Sequence, residues 1–225
     1  MFKFKWKKIG VAMLSCVMAV SFLAGCGNSA REERPKDELV FVNYRDIRDL
    51  NPHLYAGEMY AQEMLYETLV GFDENGGFKG VLAESWDISP DGKTYTFHIR
   101  DGVKFSDGEV CDAYAIKANF DAIIENKTRH TWLEMMHLLV GISAPDSKTF
   151  VIELSKPYYP LLTELSVTRP FAMISPKAMK NGSTKDGVEK YIGTGPYVLS
   201  EVVTDEYAVF EANPITGANS QKSKK

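Results

Sequence analysis

Cysteine is scarce in this sequence. Only Cys16, Cys26 and Cys111 occur among 225 residues, too few for a disulfide framework. Long apolar runs are scarcer still: after residues 9–24 no stretch approaches the roughly 20 residues that cross a bilayer. A basic tract is also missing. The chain has 26 Lys and Arg against 30 Asp and Glu, a net charge of −4; without Lys3, Lys5, Lys7 and Lys8 the count is 22 against 30, or −8. An acidic chain of this kind argues against nucleic-acid binding. Catalytic and phosphate-binding signatures are absent too. There is no Gly-x-x-x-x-Gly-Lys-Ser/Thr loop and no Gly-x-Ser-x-Gly elbow. Gly193-Thr194-Gly195-Pro196 is too short for a dinucleotide loop and reads as a tight turn into a strand. His53, His98, His130 and His137 lack metal-ligand spacing, and the Asp-Gly pairs lack the ligand ladder of a calcium loop. No nucleophile and base stand at a recognisable spacing, so an enzyme is not expected.

What is present begins with a leader. Four lysines precede the apolar run of residues 9–24, the layout of a secretory signal over residues 1–25. It ends in Leu23-Ala24-Gly25-Cys26, which resembles a lipobox, and that resemblance implies a lipid-anchored Cys26. Plain secretion with an incidental cysteine is the alternative. Residues 26–37 then read as the lipidated Cys and a polar tether, and Cys111 is left without a partner. Localisation outside the cytoplasm, anchored to the cell membrane, is the expectation.

At 44% hydrophobic and 25% charged residues, the remainder has ordinary globular composition. Its pattern predicts mixed α and β structure. Residues 39–44 read as a strand, and residues 59–70 as a helix with Tyr60, Met64, Leu65 and Leu69 on one side. Residues 82–88 and 94–100 flank the turn Ser89-Pro90-Asp91-Gly92-Lys93, with Tyr95, Phe97 and Ile99 alternating with polar residues. Asp112 is an N-cap for a helix reaching about Asn126, its buried stripe Ile116, Phe120, Ile123 and Ile124. A second hairpin is expected over residues 140–154, short helices at 158–165 and from Ser175-Pro176, and a third hairpin at 197–203 with 206–211.

Several motifs in this order carry a resemblance. Leu50-Asn51-Pro52-His53, Tyr66-Glu67-Thr68-Leu69, Leu82-Ala83-Glu84-Ser85-Trp86, Asp91-Gly92-Lys93-Thr94-Tyr95-Thr96-Phe97, Arg100-Asp101-Gly102-Val103-Lys104-Phe105-Ser106-Asp107-Gly108 and Gly193-Thr194-Gly195-Pro196-Tyr197 resemble the solute-binding proteins of dipeptide, oligopeptide and nickel ABC importers. The resemblance implies an α+β fold: the mixed-sheet first lobe of a two-lobed periplasmic-binding-protein-like architecture, here residues 38–213. It also implies a permease and its ATPase as partners, a monomeric chain, and no resident cofactor.

Two further stretches, Arg129-His130-Thr131-Trp132-Leu133-Glu134 and Tyr158-Tyr159-Pro160 through Arg169-Pro170-Phe171, resemble the nickel-binding branch. That branch implies capture of nickel as a complex with a carboxylate-bearing metallophore. Arg129 and Arg169 would supply guanidinium forks, Trp132 an aromatic wall, and Tyr55 and Met59 further contacts. On residue type alone Trp132 and Met59 could equally be core, Arg129 a solvated helix end and Arg169 a surface turn. A dipeptide or oligopeptide binder, or a stand-alone interaction lipoprotein, also fits the scaffold. The family's direct histidine ligand to nickel falls in a part of the family pattern that these 225 residues do not match.

After Asn213-Pro214 the family pattern continues with Tyr-Trp-Gly and a Pro-Lys stretch, whereas residues 215–225 do not. Read one base earlier, codons compatible with that tail can encode Tyr-Trp-Gly-Glu-Phe-Pro-Lys. The expectation is a single-base deletion near codon 214, an out-of-frame tail over residues 214–225, and a truncated product deficient in binding.

Overall fold

The computed structural model describes residues 38–55 and 57–216. The leader, Cys26 and the end of the tail lie outside them. Residues 38–43 belong to one compact unit and residues 44–216 to another. The strand expected over residues 39–44 does not form. A strand needs a paired edge, and none of the described sheets contains this segment.

The second unit is built around an antiparallel four-stranded sheet and one long helix. The sheet order is β3 (Ala83–Ile88), β4 (Thr94–Ile99), β6 (Thr149–Leu154), β5 (Leu139–Asp146). Alternation along β4 and β6 puts Tyr95, Phe97, Ile99, Phe150, Ile152 and Leu154 on one buried face, with Phe97 opposite Phe150. Helix α2 (Ala113–Glu125) covers that face with Ile116, Phe120 and Ile123, and the Phe120 ring lies 4.7 Å from that of Phe150. Asp112 caps the helix as expected, its carboxylate accepting from Ala115 N at 2.9 Å.

Shorter elements surround this core. Helix α1 (Met59–Leu65) stops five residues before its expected end. Tyr66 turns to extended backbone (φ −127°, ψ 155°), and the chain then enters β1 (Val70–Phe72), which pairs with β2 (Phe78–Gly80) across an Asp73-anchored turn. Helix α3 (Met135–Leu138), absent from the sequence expectations, leads into β5. Helix α4 (Leu161–Leu165) and the short turn α5 (Thr168–Phe171) follow β6. Pro176–Ala178 makes a 3₁₀ turn rather than an α-helix, then β7 (Met179–Lys180) pairs with β8 (Ser183–Val188). The expected third hairpin is β9 (Tyr197–Val203) with β10 (Tyr207–Ala212).

A second, smaller core joins Leu50, Ala61, Leu65, Tyr66, Ala172 and Ile174. It fixes α1 and the loop before it, which carries part of the candidate site. No helix among the described residues is long and apolar enough to cross a membrane.

Candidate functional site

The site grows from residues 50–55 and 57–58, which precede α1. Its anchor is a buried polar knot. Asn51 donates through Nδ2 to Thr184 O at 2.8 Å and accepts through Oδ1 from His53 N at 3.1 Å. The His53 ring lies between Ala172 O, 3.2 Å from Nε2, and Thr184 Oγ1, 3.0 Å from Nδ1. A carbonyl can only accept, so Nε2 carries the proton and Nδ1 takes the threonine hydroxyl. Burial pushes the His53 pKa down to about 3, which keeps that ring neutral. The Asn51-Pro52-His53 motif is therefore a structural pin that fixes where the next residues emerge.

The next residues include Tyr55, with 40% of its surface exposed. Its hydroxyl lies 2.6 Å from His130 Nδ1 and accepts from Trp132 Nε1 at 2.5 Å. Both rings approach Tyr55 edge-on, with centroids 5.3 Å (His130) and 6.3 Å (Trp132) away. His130 and Trp132 sit on the segment that leaves α2. That segment is held from behind: the Glu164 carboxylate accepts from Glu134 N at 2.9 Å and Met135 N at 3.1 Å, and Leu133 and Met135 are buried. Trp132 itself is 58% exposed, so the core reading of this side chain is set aside.

Arg169 enters from a third segment. As the residue before Pro170 it is extended (φ −105°, ψ 122°) inside α5, and its Nη1 donates to Gly57 O at 3.3 Å. Its charge acts on the Tyr55 hydroxyl, partly offsetting the upward shift that burial gives that phenol. Met59 opens α1 at the end of the same loop and is 38% exposed. Arg129 is exposed on the 3₁₀ turn Lys127–Arg129, where its charge, second to burial, helps push the His130 pKa down to about 4. The structure thus brings Tyr55, Trp132 and Arg169 together, with Met59 on the same loop and Arg129 beside His130 in the chain.

His130 was not among the site residues expected from sequence. Its partner Tyr55 is 75 positions away, and only its place between Arg129 and Trp132 hinted at the site. Among the described residues no group of three or more His, Cys, Asp or Glu could hold a metal ion. The arrangement offers a guanidinium and two aromatic rings, suited to an anionic organic ligand with a flat part.

Residues 77–218 match the bacterial extracellular solute-binding proteins, family 5 Middle. The chain is 41% identical over 203 residues to the nickel-binding periplasmic protein of Escherichia coli (strain K12), covering 89% of this chain and 39% of that protein. It is 33% identical over 185 residues to the glutathione-binding protein GsiB of Shigella flexneri serotype 5b (strain 8401), covering 81% and 34%. Its fold matches the crystal structure of NikA from Brucella suis in complex with Fe(III)-EDTA at a TM-score of 0.75 and 47% identity, covering 76% of this chain and 35% of that one. The chain thus spans between a third and two fifths of the length of these relatives. The match over residues 77–218 and the α+β architecture agree: the chain belongs to the bacterial extracellular solute-binding proteins, family 5.

Proposed function

We propose that this chain belongs to the solute-binding component of an ABC importer that captures nickel as a chelate outside the cytoplasm and hands it to a permease driven by an ATPase. Tyr55, Trp132 and Arg169, with Met59 and Arg129, form one wall of the chelate site. Cys26 is the lipid anchor. The observation that carries the reading is the convergence of Tyr55, Trp132 and Arg169 from three separate segments onto one partly exposed spot. Identity to the nickel-binding relative, at 41%, exceeds the 33% to the glutathione-binding one, which favours a chelate over a peptide.

The physical logic is economical. A chelator already satisfies most of the metal's coordination, so the protein must recognise carboxylates and an organic surface rather than rebuild a metal cage. Guanidinium groups take carboxylates through paired N–H donors, and aromatic rings cover the organic part.

The test is a titration of the nitrogen-15-labelled protein, completed to the length of its relatives, with nickel–EDTA, zinc–EDTA and glutathione, read at the Trp132 indole N–H. Saturable paramagnetic shifts with the nickel complex, and matching diamagnetic shifts with the zinc complex, are expected at Trp132 and its neighbours. An unmoved Trp132 resonance, or a stronger response to glutathione, would overturn the reading.

A further inference from the structure

His130 sits behind the proposed wall and is fully buried, so a bound chelate would not touch it. Its Nδ1 faces the Tyr55 hydroxyl, and its Nε2 has no hydrogen-bond partner among the described residues. We infer that His130 is a positioning residue that accepts the Tyr55 O–H hydrogen bond at Nδ1, carries its own proton on Nε2, and thereby makes Tyr55 an acceptor-only group toward Trp132 and any ligand.

The direction of each hydrogen bond follows from chemistry. The indole Nε1–H of Trp132 can only donate, so the Tyr55 oxygen accepts there. The remaining contact joins a phenol and an imidazole nitrogen. Phenol is the stronger acid and the imidazole nitrogen the stronger base, so O–H to N is the stronger arrangement. The two bonds then run in one direction, from Trp132 through Tyr55 to His130, and each polarises the next. His130 must be neutral to accept. Burial, then the Arg129 charge, hold it so.

Two consequences follow for recognition. Both aromatic rings of the wall are tied at their polar edges, so they are ordered before any ligand arrives. The Tyr55 hydroxyl also has no proton left for a ligand carboxylate, and that task falls to the guanidinium groups. A donor on the ligand, such as a metal-bound water or an amine N–H, is what Tyr55 can still receive. This inference rests on the proposed chelate site for its ligand chemistry, while the state of the histidine ring can be read without any ligand.

The first measurement is the nitrogen-15 ring spectrum of His130 in the unaltered chain at neutral pH. A protonated Nε2 with a bare Nδ1 is expected; the opposite tautomer or an imidazolium overturns the inference. The second, in the protein completed to the length of its relatives, compares His130→Leu with His130→Gln, whose amide oxygen can also accept the Tyr55 O–H hydrogen bond. His130→Leu is expected to move the Trp132 indole resonance and raise the nickel–EDTA half-saturation concentration by about tenfold. His130→Gln should restore both. Wild-type binding in His130→Leu, or no rescue in a folded His130→Gln, overturns the positioning role. If the protein completed to the length of its relatives ignores nickel–EDTA, the chelate reading falls, and the ring spectrum and the Trp132 shift still decide the histidine.

Discussion

The Asn119 side chain pairs with both backbone groups of Ile174: Oδ1 accepts from Ile174 N at 2.8 Å and Nδ2 donates to Ile174 O at 2.9 Å. Nδ2 also reaches Ala115 O one turn back, at 2.8 Å. Ile174 bridges Gly193 on one side, and a buried asparagine on the core side of α2 takes the place of a strand on the other. Asn119→Leu keeps the branched side-chain shape but strands the buried N–H and C=O of Ile174. The expected cost is about 3 kcal/mol, measured by urea unfolding. A loss below about 1 kcal/mol would mean that water had taken over both groups.

Acid should weaken the fold through two histidines. His53 and His130 are buried neutral, with pKa values pushed down to about 3 and about 4, whereas in the unfolded chain each protonates near its ordinary 6.5. Between those values the unfolded chain holds more protons. Stability is therefore fully present above about pH 6.5 and falls with pH, at about 1.4 kcal/mol per unit for each histidine. Glu67, its carboxyl pushed up by burial, opposes the trend. The check is to compare the pH 7 to pH 5 slope of the unfolding free energy in the chain and in His53→Gln. The variant should lose about one histidine's share.

The fold was legible where local pattern and tertiary packing agree. In α2, Asp112 supplies the cap, and Ile116, Phe120 and Ile123 the stripe. Alternation in β4 likewise marks Tyr95, Phe97 and Ile99 as the core face. Elsewhere tertiary context decides. The apolar residues after Met59 continue a helical period, yet the chain leaves the helix at Tyr66 so that Val70 can pair with Gly80. In the site, Trp132, Arg169, Met59, Tyr55 and Arg129 were visible only through family resemblance. His130 escaped because its role depends on a tyrosine 75 positions earlier, which no local periodicity records.

Gly193 and Gly195, turn residues by sequence, have a second task in the structure. Their backbone lies against the end of α1, where Gly195 N donates to Leu65 O at 2.8 Å. A Cβ on Gly193 would come within 2.1 Å of Leu65 O, and one on Gly195 within 2.5 Å of Leu65 C. Neither contact can be relieved by a side-chain rotation. Gly193→Ala is therefore expected to destabilise by more than about 2 kcal/mol in thermal or urea unfolding. A Gly193→Ala chain of unchanged stability would show that the 193–195 segment can withdraw from α1.

Arg169 offers the sharpest test of the proposed wall. Its guanidinium is tethered on one side to Gly57 O and acts electrostatically on Tyr55, so its position is set before a ligand binds. A charged hydrogen bond to a ligand carboxylate contributes on the order of 2 kcal/mol. In the protein completed to the length of its relatives, Arg169→Ala should then weaken nickel–EDTA binding by roughly 10- to 100-fold. Arg169→Lys keeps the charge but loses the fork, and should recover only part of that affinity. The comparison separates recognition of shape from attraction of charge. If lysine restores full affinity, Arg169 acts as a point charge alone. Unchanged affinity in Arg169→Ala would remove Arg169 from the site and leave carboxylate recognition to Arg129.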